Sequence, residues 1–102
     1  MLNKSLNEIG LNDSEIKTYF ALLELESSTT GPIIDKAKIT HSKVYEILEK
    51  LKEKGLVSYV IKNNVKHFQA TDPTNLVRLI EEKEEAIKKQ KKKIQDEIIP
   101  LI

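Results

Sequence analysis

The chain has 102 residues, of which 39% are apolar and 32% charged, mostly Lys and Glu, with a net charge of +1. This length supports one domain near the lower limit for a self-sufficient core, so a partner subunit is a natural way to bury the remainder. The lack of Cys excludes disulfides and thiolate metal sites, and two well-separated His residues make no zinc set, so neither a metal nor a cofactor is expected.

No apolar run approaches about 18 residues, and the N-terminal MLNKSLNEIG has no signal-peptide pattern, so the expected location is cytoplasmic with no membrane partner. There is no Gly-rich phosphate loop, nucleophile elbow or metal-binding helix motif, and the many carboxylates fall in exposed helical charge patterns. An enzyme is not expected.

In chain order, Leu2, Leu6 and Ile9 recur at helical spacing and Gly10 ends a first short helix. Asn12 and Glu15 form a capping-box pair that opens a second helix, running to about Glu26. Its wide apolar face, expected in the core, carries Ile16, Tyr19, Phe20, Leu22, Leu23 and Leu25. Ser27 to Thr30 break the pattern, and Thr29 is the N-cap chosen for a short third helix to Ala37, with Gly31-Pro32 in its first turn. Lys38-Ile39 makes the next turn, where Gly would suit better than Lys38 and a positive φ is expected.

The following helix takes Thr40 or His41 as cap. Val44, Ile47, Leu48 and Leu51 form its buried stripe, and Gly55 stops it with Leu56 as hydrophobic closure. Leu56–Ile61 and Val65–Ala70 read as two strands joined by Lys62-Asn63-Asn64, residues suited to a tight turn with positive φ. Thr71–Thr74 is a cap signal for a long last helix, about Thr74 to Ile99 and roughly 39 Å, ended by Pro100. Ile80, Ile87, Ile94 and Leu101 fall seven apart, while Leu76, Lys83, Gln90 and Glu97 form a mostly polar second column, a weak coiled-coil pattern. The order of elements is mainly α with a small β-hairpin. It outlines a winged helix-turn-helix over residues 1–72, followed over 73–102 by a long helix for dimerisation through Leu76, Ile80, Ile87, Ile94, Ile98 and Leu101.

Charge is unevenly placed. Residues 1–37 sum to −3, residues 38–69 to +4 and residues 70–102 to zero, so the positive excess lies on the fourth helix and the hairpin. This local field points to a nucleic-acid partner more than the total charge does. Two readings of the helix face compete. In one, Thr40, His41, Ser42, Lys43, Tyr45, Glu46 and Lys50 lie over base edges and phosphates; in the other it is an ordinary solvated face. Lys62, Asn63, Asn64 and Lys66 on the hairpin suit phosphates or the minor groove, or simply make a polar turn. His67 is a further exposed strand residue near them. Thr29 and Thr30 offer a helix N-terminus to phosphate, although capping alone accounts for them. The run Lys88, Lys89, Lys91, Lys92 and Lys93 spreads around its helix and reads as a solvated surface.

The segments IGLNDSEIKTYFALLEL, ITHSKVYEILEKLKEKGLV and HFQATDP resemble the TrmB-like regulators of archaea, within the wider MarR/ArsR-like winged-helix group, from about Leu6 to Glu85. The resemblance implies a transcriptional regulator binding double-stranded DNA as a homodimer. It places a recognition helix of about 41–54 in the major groove, with His41, Ser42, Lys43 and Tyr45 facing DNA, and a wing of about 56–70 on the flanking backbone or minor groove. Transcription machinery is a further implied partner. Larger members continue into a sugar-sensing domain that nothing after Ile102 supplies, so this is a short member or the N-terminal region of a larger sensor. Members usually carry Arg near the start of the recognition helix, where this chain has His41 and Lys43, and Lys lacks the bidentate fork for guanine. The rival from another class is a winged helix that binds polypeptide rather than DNA.

Overall fold

A computed structural model of the protein describes residues 2–102; Met1 and the side chain of Leu2, with its expected inward placement, lie outside that description. The described elements run α1 (Leu2–Glu8), α2 (Asp13–Leu25), α3 (Thr30–Ala37), α4 (Val44–Glu53), β1 (Val57–Lys62), β2 (Val65–Ala70) and α5 (Asn75–Lys93). Helix, turn, helix and hairpin thus follow in the expected order.

Local rules account for most boundaries. Asn12 and Glu15 close both bonds of the capping box at 2.8 Å. α1 and α4 end alike. Gly10 (φ 105°) and Gly55 (φ 79°) take positive φ, and the next Leu N–H reaches back to a carbonyl five residues earlier, Leu11 to Leu6 and Leu56 to Leu51. In α3 the same position is filled by Lys38 at φ 56°, the strained choice expected there, with Ile39 bonded back to Ile34.

Three boundaries differ from expectation. α4 begins at Val44, because residues 41–43 wind as a tighter turn in which the Lys43 N–H bonds the Thr40 carbonyl at 3.2 Å. Neither Thr40 nor His41 caps the helix; Lys43 occupies that position without a side-chain bond. Thr29 does stand at the N-cap of α3, but its side chain makes no capping bond. α5 ends at Lys93, earlier than Ile99. Pro100 has no N–H for the Asp96 carbonyl, so the chain widens into a π-type turn over Ile94–Ile98 and then closes as a 3₁₀ turn over Ile99–Leu101.

The core joins Leu6, Leu11, Ile16, Tyr19, Leu22, Ile33, Val44, Leu48, Leu51, Leu56, Val57 and Phe68. On α2 the buried face runs through Glu15, Thr18, Tyr19 and Leu22, at steps of three and four. Leu23, expected in the core, is 40% exposed on the flank of that face, and Phe20 is half-buried. Two polar residues hold the inner positions because each is satisfied. Thr18 Oγ1 donates to the Ser14 carbonyl at 2.8 Å, and Glu15 meets Lys54 Nζ at 2.8 Å.

The hairpin pairs Val57 with Ala70 through Lys62 with Val65, so Asn63 (φ 51°) and Asn64 (φ 64°) form a two-residue turn with both φ positive. Its β2 edge is covered: Ser28 exchanges two backbone bonds with Phe68, at 2.9 and 2.7 Å. The chain reaches that edge through a γ-turn at Glu26 (φ 68°), where the Ser27 N–H bonds the Leu25 carbonyl.

α5 leaves the body. Leu76 and Leu79 pack on the core, but no residue of the helix is fully buried. The molecule measures 61 × 24 × 24 Å, with a radius of gyration of 17.2 Å against about 13 Å for a compact chain of this length.

Candidate nucleic-acid interface

The candidate surface is built on α4. Its apolar stripe, Val44, Ile47, Leu48 and Leu51, is held in the core, which turns Tyr45, Glu46, Glu49 and Lys50 outward. The preceding turn adds Thr40, His41, Ser42 and Lys43, all exposed, with the Thr40 and Ser42 hydroxyls 3.3 Å apart. Tyr45 is 59% exposed, so its ring and hydroxyl are available at this surface. Lys50 and Glu46 pair at 3.4 Å along the helix, so part of the face's positive charge is compensated locally.

The hairpin flanks this face. A cleft between them is lined on the α4 side by Tyr45, Glu46, Glu49 and Lys52 and on the hairpin side by Tyr59, Lys66 and Phe68. Strand register divides the expected hairpin residues. Lys66 pairs with Ile61 on the face shared with Tyr59 and Phe68, while Lys62 and His67 lie on the opposite face with Val60 and Val65. Lys62, Asn63 and Asn64 are exposed and His67 is half-buried. Thr29 and Thr30 are half-buried at the start of α3.

Of the residues lining this cleft, Tyr45, Glu46 and Lys66 are candidates from the sequence, whereas Glu49, Lys52, Tyr59 and Phe68 join it only in the fold. Lys52 Nζ lies 5.1 Å and Lys66 Nζ 4.6 Å from the centre of the Tyr59 ring. The available signal was the spacing of Lys52, seven residues after Tyr45, together with an aromatic residue in the first strand. The exposed apolar side chains near the hairpin tip, Val60, Ile61 and Val65, were likewise not singled out.

Among the described residues no group of three or more His, Asp or Glu is arranged to hold a metal ion. No described helix is long and apolar enough to cross a membrane.

The family model of the sugar-specific transcriptional regulator TrmB matches residues 6–74. The chain belongs to the TrmB family. The match takes in the last residues of α1, all of α2 to α4 and the whole hairpin, including the elements that build the candidate surface. Among solved structures, TrmBL2, an archaeal chromatin protein described with a novel mode of DNA binding, matches this TrmB-family chain with a TM-score of 0.76 and 23% identity. The match covers 89% of this chain and 37% of TrmBL2, so the chain spans little more than a third of that protein's length. A MarR-family regulator from Silicibacter pomeroyi matches with a TM-score of 0.64 and 16% identity over 95% of this chain and 80% of its own. Sso10a-2, a DNA-binding protein from Sulfolobus solfataricus, matches with a TM-score of 0.50 and 18% identity over 84% and 93%. At these identities the solved structures establish the winged-helix fold with its long C-terminal helix, and the TrmB model establishes the family.

Proposed function

We propose that this TrmB-family chain is a double-stranded DNA-binding transcriptional regulator acting as a homodimer. The turn at 40–43 and the outer face of α4 enter the major groove, and the hairpin lies on the flanking backbone. The observation that carries this reading is the cleft that joins the exposed face of α4 to the hairpin on one side of the molecule, in the segment holding the chain's positive excess. Family membership and the DNA-binding proteins among its structural relatives support the same reading.

The exposed C-terminal helix supports the homodimer reading. Leu76, expected in the seam, packs on the core instead, but Ile80 and Ile87 on α5 and Ile94, Ile98 and Leu101 in the turns that continue it are all 40% or more exposed, and such a stripe is buried most economically by a second copy. Two reading helices would then address successive major grooves, about 34 Å apart. His41 and Lys43 stand in for the family's usual Arg, so base readout rests on single hydrogen bonds and on Tyr45 rather than on a bidentate fork to guanine. Recruitment or occlusion of the transcription machinery is the regulatory consequence of occupying a promoter.

A gel-shift series at low salt tests the reading. Wild-type protein should bind duplex with an affinity that falls steeply as salt rises, and Lys43→Ala with Lys62→Ala should weaken binding to every duplex tried. Unchanged affinity in that variant counts against the model. Absence of salt-sensitive binding in the wild type favours a module that binds polypeptide instead. Selection from a random duplex pool extends the test, since a palindromic enriched site gives symmetry and spacing together.

A further inference from the structure

The cleft between α4 and the hairpin contains an arrangement that the general reading does not require. Tyr59 is half-buried, its ring set against that of Phe68 at 5.8 Å between centroids, and Phe68 is part of the core. Lys52 from α4 and Lys66 from β2 both bring their ammonium groups to this ring. Lys36, Lys50 and Lys54 each pair with a carboxylate, whereas among the described residues neither Lys52 nor Lys66 has one within ion-pairing distance. Two uncompensated cations from different elements thus converge on one ring anchored in the core.

We propose that Lys52, Tyr59 and Lys66 form a clamp for backbone phosphates of the strand that passes between α4 and the hairpin. The proposal rests on the DNA-binding reading and adds to it a named phosphate site. An ammonium held over a ring face keeps N–H donors free for an anion, and the ring limits the rotamers the lysine must surrender on binding. Glu46 and Glu49 line the α4 wall one to two turns before Lys52. Glu46 is paired with Lys50, so it is the Glu49 charge that keeps phosphate from that end and leaves the ring as the point of contact. Because the contact is to the backbone, it sets register and affinity without reading sequence.

The test is fluorescence anisotropy of a labelled duplex across a salt series, with two duplexes of unrelated sequence and folding of each variant checked by circular dichroism. Each phosphate neutralised contributes about −0.9 to the slope of log K against log salt. Lys52→Ala and Lys66→Ala should each flatten the slope by about that amount, equally on both duplexes, while Lys52→Arg keeps it. Tyr59→Leu retains both charges, so its slope should stay at the wild-type value while affinity falls roughly fivefold, the loss expected for freeing two ordered side chains. Lys17→Ala, on the outer side of α2, should change neither. Wild-type slopes in both Lys→Ala variants, or a Lys17→Ala effect as large as theirs, would overturn the clamp while leaving DNA binding intact. A wild-type protein without salt-dependent binding overturns the clamp together with the reading beneath it.

Discussion

Arg78 lies against Gly55 so closely that a Cβ built on the glycine would sit 2.2 Å from Arg78 Nη2. The same glycine's carbonyl accepts Thr71 Oγ1 at 2.6 Å and Asn75 Nδ2 at 3.2 Å. The C-terminal end of α4 is therefore held by the first turns of α5, which ties the orientation of the long helix to that of the candidate reading helix. Gly55→Ala meets two costs, a positive φ of 79° and the displacement of Arg78. A loss of about 1–2 kcal/mol in urea unfolding is expected. In an Arg78→Ala background the loss should shrink to the φ contribution alone, and equal losses in both backgrounds would refute the contact.

Lys54 ties the other side of α4 to the body. Its ammonium meets the Glu15 carboxylate at 2.8 Å and the Gly10 carbonyl at 2.9 Å, and Glu15 is only 2% exposed. Lys54→Met leaves that carboxylate buried with only the backbone bond of its capping box. Removing one partner of a fully buried pair costs about 3–5 kcal/mol, and the partial exposure of Lys54 lowers the expectation to about 2 kcal/mol. Chemical denaturation should show this loss, and Lys54→Arg should restore part of it.

The Tyr19 hydroxyl is buried with no hydrogen-bond partner among the described residues, and burial, helped by the charge of Asp72, raises its pKa above the usual 10.0. A raised pKa means the fold favours the neutral phenol, so this stabilisation is complete below pH 10 and is lost as pH climbs through the higher folded-state value. Tyr19→Phe removes both the unpaired hydroxyl and the titration. It should leave stability at neutral pH equal or raised by about 1 kcal/mol, and thermal melts between pH 9 and 11, roughly bracketing the phenol range, should fall less steeply than in the wild type.

Lys38 occupies a left-handed position, φ 56° and ψ 47°, that glycine adopts without a Cβ penalty. Lys38→Gly should therefore stabilise the protein by about 0.5–1 kcal/mol, read as a shift in the urea midpoint at unchanged slope. A destabilised variant would mean that the lysine side chain makes a compensating contribution.

The proposed dimer predicts that Ile87→Lys with Ile94→Lys gives monomers in sedimentation, since both side chains, one on α5 and one in the turn that continues it, stand about half exposed along one stripe. Each buried lysine would face the partner's apolar column without a counter-charge. DNA affinity should fall with the dimer. A wild-type protein already monomeric at micromolar concentration would end the proposal.

The features legible in the sequence are those governed by a few neighbouring residues. The capping box of Asn12 and Glu15, the glycine stop at Gly55, the strained turn at Lys38, the Asn63-Asn64 hairpin turn and the inward stripe of α4 all follow from local sterics and helical period. The tertiary structure decided what depends on distant partners. Glu15 and Thr18 take core positions and Leu23 does not, because a lysine 39 residues away and a backbone carbonyl satisfy the polar groups. Ser28 becomes the rung that covers β2, which a loop sequence does not reveal. Tyr59 gathers Lys52 and Lys66 only once α4 and the hairpin have packed through Leu48, Leu51 and Phe68. Charge along the chain pointed to the segment that carries the candidate surface; which cations converge there was set by packing.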